Sequence, residues 1–340
     1  MSEPAISVIV PFRDLGALLR EAAESVLSQS FGDFELILAD DGSTEEDASI
    51  ADQIAASDGR VRVLHLQKRG VSAARNAALE SAKGRFVAFV DADDTVEKEY
   101  LSDLITHAEA TDADYVVAPY TISLEDGSTR EVALREQYGY STNGEIRKDY
   151  LPRIFGYGMN DVKAWYKGVP LFSKRETAGV WRGLFRKSVI DDNNIRFDES
   201  ITLYEDAMFL SAFLLKAKSM TSTSRPLYRY RLRKDGSMLG KANRERLVEN
   251  KLALLNARAA LDAAEGGSLS CLYDATCVLS LVESLRHTAL HPSRRNIRAL
   301  CGYMRNPTAR IALKSFPLSL RHPLLATAVS ALRIISLIVK

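Results

Sequence analysis

Three carboxylates, Asp91, Asp93 and Asp94, follow directly on the apolar run Phe86–Val90. Repulsion at the end of a buried strand raises the cost of keeping all three ionised. Something positive or hydroxyl-rich is therefore expected beside them. Two aspartates separated by one residue in a turn present oxygens to a hard cation, Mn2+ or Mg2+, which retains waters and shares phosphate oxygens. Aspartate also accepts hydrogen bonds from ribose hydroxyls or from the N–H edge of a pyrimidine. A nucleoside diphosphate with its metal is thus a coherent ligand. An Asp-rich turn can equally be a solvated loop or helix cap. Against that plain reading stands a second acidic pair, Asp40 and Asp41, closing another apolar run, Phe34–Ala39.

Other residues add possible chemistry. Arg75 lies near the start of a helical stretch and is a candidate phosphate-side cation, or else an ordinary surface arginine. Glu205 and Asp206 precede an apolar helix; they are either an acidic first turn or a general base for an incoming hydroxyl. Neither G-x-G-x-x-G nor G-x-x-x-x-G-K-[ST] occurs, so a Rossmann dehydrogenase and a P-loop NTPase have little support.

These groups need a scaffold that brings them together. Strand and helix patterns alternate through the first part of the chain: strands at Ile6–Val10, Phe34–Ala39, the "VRVLHL" run, "RFVAFV" and "YVVAPY", with amphipathic helices between them. Gly70 to Gly84 reads as a helix with Ser72 as its N-cap and Gly84 as its stop. Helices between consecutive buried strands imply right-handed crossovers and a mainly parallel, Rossmann-like sheet. Ligands bind such sheets outside the carboxyl ends of the strands, where both acidic clusters fall. From Tyr120 to about Lys174 the alternation is lost, and an irregular, cleft-shaping region is expected.

At 340 residues the chain suffices for one large or two smaller domains. Its net charge is +1, but Ser284 to Lys340 holds ten basic and no acidic residues, leaving 35 basic against 44 acidic elsewhere. Cys271, Cys277 and Cys301 have no CxxC spacing and read as buried apolar side chains, not as disulfides or zinc ligands. The five histidines form no metal pair. No secretory signal is recognised in "MSEPAISVIVPF", which makes a cytoplasmic location the expectation.

Taken together and in order, "SVIVPF", "SVLSQSFGDFELILADDGSTEED" and "GVSAARNAALESAKGRFVAFVDADD" resemble the nucleotide-sugar half of family 2 glycosyltransferases of the GT-A fold. Downstream, "VWRGLFRKSVI", "IRFDESITLYEDAMFL" and "PLYRYRLRKDGSM" resemble the acceptor half of bacterial members that extend polysaccharides or lipid-linked oligosaccharides. The likeness spans roughly residues 5 to 240. It implies an inverting enzyme that uses a UDP-sugar, with Pro11 and Asp41 lining the base pocket, Asp40 supporting that loop and Arg75 near the nucleotide. It further implies that Asp91 contacts ribose or metal-bound water and that Asp93 is the metal ligand of the DxD motif. Asp94 buttresses the turn. Asp206 would be the base, Glu205 would position the acceptor, and Trp181 would either stack on a sugar or pack in the core. Where relatives often carry Tyr-Asn after the first proline, this chain has Phe12, Arg13 and Asp14. The Gln-x-x-Arg-Trp motif of processive synthases is absent, so one sugar per encounter is expected.

The expected division is 1–120 for the nucleotide-sugar half, 121–240 for the acceptor and base half, and 241–340 for a helical extension with a cationic apolar tail. Arg321 and Arg333 interrupt the tail, which reads as an interfacial helix at an anionic membrane and not as a spanning one. Packing on the protein's own core is the competing reading. The implied partners are a UDP-sugar and a glycan or lipid-linked acceptor at the inner face of the cell membrane; no nucleic-acid module is seen. A non-catalytic nucleotide-sugar sensor or membrane scaffold is the rival reading.

Overall fold

The computed structural model describes residues 3–170, 175–233, 246–318 and 322–338. Residues 234–238 of the acceptor-half motif, and Arg321 and Lys340 of the tail, lie outside the described residues. The chain divides into two compact units: residues 1–150, 177–199 and 205–235 form the first, and residues 151–176, 200–204 and 236–340 the second. The first unit thus holds 1–120 together with 121–150 and most of the later residues expected in the acceptor half.

The first unit is built on an eight-stranded sheet. Its parallel part follows the sequence pattern: β1 (Ile6–Phe12), β2 (Phe34–Asp40), β3 (Val61–His65) and β4 (Phe86–Phe89) pair in the order β3-β2-β1-β4. Between them run α1 (Gly16–Leu27), α2 (Glu45–Ser57) and α3 (Val71–Ser81). Every residue of β1, β2 and β4 is buried, as continuous apolar runs in a sheet covered on both faces should be. β5 (Thr95–Val96) and α4 (Tyr100–Thr111) lead to β6 (Tyr115–Val117).

The stretch expected to be irregular is partly ordered. It forms β7 (Tyr120–Ser123), β8 (Thr129–Val132), β9 (Gly139–Tyr140) and the short α5 (Asn143–Glu145). "YVVAPY" is split between two sheets, because Tyr115–Val117 stays in the large sheet while Tyr120 opens a second, four-stranded sheet ordered β5-β12-β7-β8. Its β12 is Tyr228–Arg231. β10 (Gly183–Arg186) inserts antiparallel between β4 and β6, beyond which β11 (Met220–Ser222) and β9 complete the large sheet. The parallel expectation thus holds for the first four strands, and the far half is mixed. A strand arriving from sixty residues downstream has no local signal of its direction.

α8 (Lys187–Asp192) and α9 (Glu205–Leu214) also belong to this unit. α9 buries Met208, Phe209, Leu210, Phe213 and Leu214. Phe209 packs edge-on against Phe89 at 5.8 Å and stacks on Phe197 at 4.1 Å, which ties the helix start to the end of β4.

The second unit is helical. It contains α6 (Leu151–Phe155), α7 (Met159–Tyr166), α10 (Leu247–Ala264), α11 (Asp274–Leu290), α12 (Arg294–Arg305), α13 (Pro307–Ser315) and α14 (Pro323–Ile338). Gly266 and Gly267, at φ of 69° and 78°, break what reads in sequence as one helical pattern from Arg244 to His287. Cys277 is buried, but Cys271 is exposed in the turn before α11 and Cys301 is half-buried, contrary to the expectation of three buried cysteines. In the tail, Val329 and Leu332 are fully buried. Arg333 donates to the Leu313 and Phe316 carbonyls at 2.9 and 2.6 Å, satisfying the end of α13 instead of facing lipid. Among the described residues no helix is long and apolar enough to cross a membrane.

Candidate active site

The site lies at the carboxyl ends of the parallel strands. β1 pairs with β2 as far as Phe12 but with β4 only as far as Ile9, so the two neighbours part beyond that point. Pro11 sits in this opening, where a missing N–H costs the β4 ladder nothing. Asp40 ends β2 and Asp41 follows it on one side of the gap, and Asp91 to Asp94 follow β4 on the other.

Asp40 and Asp41 are nearly inaccessible and brace loops. Asp40 accepts from the Ser43 N–H at 2.8 Å and faces His65 Nδ1 at 3.0 Å. Asp41 Oδ1 accepts from the backbone N–H groups of Arg69 and Gly70, at 2.7 and 2.8 Å. Gly70, at φ 106°, is the N-cap of α3 and has no side chain to cap with. A carboxylate from the neighbouring strand thus fixes the chain entering α3, whereas Ser72, which sequence reading makes the N-cap, lies inside the helix with its hydroxyl buried. Gly84 likewise does not end α3, which closes at Ser81. A Cβ there would come within 2.4 Å of the Ser7 nitrogen, so glycine permits the β4 lead-in to lie against β1. The departure after Pro11 has a local role too: Arg13 reaches Asp41 at 3.4 Å, and Asp14 Oδ1 accepts from the Thr44 N–H at 3.0 Å.

Arg75 organises the opposite side. From α3 its Nη2 donates to Asp91 Oδ1 at 2.9 Å, and its Nη1 donates to Asp206 Oδ1 at 2.7 Å and lies 3.6 Å from Glu205 Oε1. Only 3% of its side chain is exposed, so it is not a surface arginine. Burial works against its charge, but the three carboxylates, Asp206 foremost, outweigh that and push it up. Asp206 Oδ2 also accepts from the Val180 N–H at 3.3 Å, which fixes the carboxylate plane. Burial pushes the Asp206 carboxyl up against the pull of Arg75. Tyr204, just before Glu205, has φ 68°, a left-handed backbone uncommon for a bulky residue and of the kind found at functional sites.

After β4 the three aspartates have different surroundings. Asp94 is buried: it accepts from the Tyr228 hydroxyl and from the Arg231 N–H, both at 2.7 Å. Burial, aided by Asp91, pushes it up to about 8. That is the expected buttress. Asp93 pairs with Arg233 at 2.7 Å; burial and then Asp91 push it up, while Arg233 holds it down. Asp91 and Asp93 remain 27% and 24% exposed, and Asp206 20%, so these three carboxylates can meet a ligand.

Arg75 holds one oxygen of Asp91 and Arg233 one oxygen of Asp93, and each carboxylate keeps a second. Two such hard donors suit a cation that fills its remaining positions with water and diphosphate oxygens. Among the described residues no group of three or more metal-ligating side chains occurs. Trp181 is 6% exposed and stacked between Tyr228 and Tyr230 at 4.6 and 5.5 Å; its ring is occupied by the core. Sequence reading missed Arg233 and Tyr228. Both stand in "PLYRYRLR", and only the β12 pairing brings them under the β4 turn.

The topology and these acid-rich strand ends define the GT-A class of α/β protein. The family model "Glycosyl transferase family 2" matches residues 7–166. Glycosyltransferase GlyG of Streptococcus pneumoniae is 31% identical over 243 residues, 70% of this chain and 74% of that protein. The "Putative glycosyltransferase EpsH" of Bacillus subtilis is 27% identical over 315 residues, 88% of this chain and 84% of that one. In fold, the chain resembles S. aureus TarS 1–349, solved with UDP-GlcNAc, at TM-score 0.62 and 21% identity, covering 97% of this chain and 88% of that one. The chain belongs to glycosyl transferase family 2.

Proposed function

We propose that the protein transfers one sugar per encounter from a UDP-sugar to a hydroxyl of a glycan acceptor, with inversion at the anomeric carbon. The observation that carries this reading is the placement of Asp206, one-fifth exposed, on the same guanidinium as Asp91 at the end of β4. A base and a nucleotide-side carboxylate are thereby held in one frame. The UDP-GlcNAc complex of TarS, a protein of the same fold, supports a UDP-sugar as donor.

In this reading the acceptor oxygen forms a bond to the anomeric carbon as its proton passes to Asp206. The bond from that carbon to the diphosphate breaks with its electron pair leaving on UDP. Arg75 keeps Asp206 aimed and pulls against the burial that raises its proton affinity. Asp93, with Asp91, would hold Mn2+ or Mg2+, which when bound offsets charge on the diphosphate. Asp41 would close the base pocket through the loop it ties to α3. An α-linked UDP-sugar would give a β-glycoside.

The acceptor proposed is a lipid-linked or surface polysaccharide chain, in keeping with the family resemblance. With Arg333 engaged on backbone carbonyls, the other nine basic residues after Ser284 and the 87% exposed Leu324 support association with an anionic membrane face. UDP release from a panel of UDP-sugars, with Mn2+ and with or without lipid-extract acceptors, tests the proposal. Acceptor-stimulated release from one donor is expected. Donor binding without any turnover would favour the nucleotide-sugar sensor instead.

A further inference from the structure

Glu205 is the functional-site residue whose geometry fits its expected role least. Its side chain is 1% exposed, and neither carboxylate oxygen has a hydrogen-bond partner. A glycan hydroxyl has no route to it. The charged groups facing it are Arg75, Asp206 and Asp91, with Arg75 Nη1 3.6 Å from its Oε1. Three carboxylates thus share one guanidinium in a space that excludes most water. All four groups cannot be charged there without a large desolvation cost.

The cluster relieves that cost by keeping a proton. Asp206 and Asp91 each accept a direct hydrogen bond from Arg75, whereas Glu205 accepts none. Burial first, then the Asp206 charge, push Glu205 up to about 7. Glu205 is thus the carboxyl best placed to hold the proton, which leaves the guanidinium to the other two.

We propose that Glu205 is a positioning residue for Asp206, acting through Arg75, and that it does not touch the acceptor. The inference rests on Asp206 being the base. A neutral Glu205 fills the space behind Arg75 without competing for its N–H groups, so Arg75 stays on Asp206 and Asp91. An ionised Glu205 would draw Arg75 toward itself and raise the proton affinity of the base.

The test uses UDP release from UDP-GlcNAc with water as the only acceptor, for the full-length wild type, Glu205→Gln and Glu205→Ala. A glycan contact would be irrelevant to this reaction, whereas a positioning role would not. Because Gln imitates the neutral carboxyl, Glu205→Gln should keep the wild-type acid limb of kcat and the wild-type KM for UDP-GlcNAc, and should depart from the wild-type profile only above about pH 7, where Glu205 ionises. Glu205→Ala should lower kcat by about tenfold or more. Wild-type kinetics and pH profile in both variants would overturn the proposal.

Thermal unfolding supplies a readout independent of turnover. Folded Glu205 holds a proton that the unfolded chain, at its ordinary 4.5, has released, so stability falls as pH rises between those two values. From about pH 5 to 7 the wild-type Tm should therefore fall more steeply than that of Glu205→Gln. Equal slopes would contradict the proton assignment. If the wild type releases no UDP from any UDP-sugar, the donor reading fails, and the Tm slopes still decide where the proton sits.

Discussion

Arg75 and Asp206 stand 131 residues apart in the chain and meet at 2.7 Å, in a contact that also holds Asp91. Because the guanidinium is buried, the contact is a structural as well as a chemical joint. Removing one partner of a buried pair strands the other charges, so Arg75→Ala should destabilise the fold by about 3–5 kcal/mol. Arg75→Lys should recover only part of this, since an ammonium cannot donate to two carboxylates in a planar fork. Urea unfolding of the three proteins measures both effects.

Asp93 and Arg233 make a pair that a bound cation would have to share or replace. Asp93→Asn should abolish Mn2+-dependent turnover while leaving the fold intact, because the side chain is partly exposed. Arg233→Ala should tighten Mn2+ binding in the absence of nucleotide, as the competing cation is gone. Titration calorimetry with Mn2+ alone distinguishes these effects.

Tyr228 supports Asp94 from β12. Tyr228→Phe removes the 2.7 Å bond to Asp94 and leaves the Asp91 N–H, now 3.1 Å from the hydroxyl, without its acceptor. A cost of about 1–3 kcal/mol is expected. Turnover should fall too, because the turn that carries Asp91 and Asp93 loses its brace. Denaturant titration and UDP release at saturating donor provide the comparison.

His65 couples the Asp40 loop to pH. Asp40 first and Asp52 second hold its imidazolium, with ring nitrogens 3.0 and 3.1 Å from the carboxylates, and push His65 up from 6.5. A raised folded-state value means that this stabilisation is fully present below about 6.5 and is lost as pH rises through the folded value. The Tm difference between wild type and His65→Gln should therefore shrink from mildly acidic to mildly alkaline pH. A difference that grows over that range would reverse the assignment.

The parallel half of the sheet was legible because its strands are short apolar runs and a helix separates each from the next. Both acidic clusters could be placed for the same reason. The far half was less legible: β10 and β12 are brief and take their partners from across the chain. Local chemistry misled in one instructive place. Ser72 has the right residue type for an N-cap, yet the helix starts one residue earlier behind Gly70, whose φ of 106° turns the chain so that its N–H meets Asp41. The base pair of residues was visible as "ED", but not their division. Only burial separates Asp206, open enough to meet a hydroxyl, from Glu205, which is sealed.

The central claim is that Asp206 takes the acceptor proton while the donor binds elsewhere in the same frame. Asp206→Asn should bind UDP with Mn2+ as wild type does, measured by calorimetry, and lose about 100-fold or more in sugar transfer at saturating donor. Normal UDP affinity with wild-type transfer would contradict the claim.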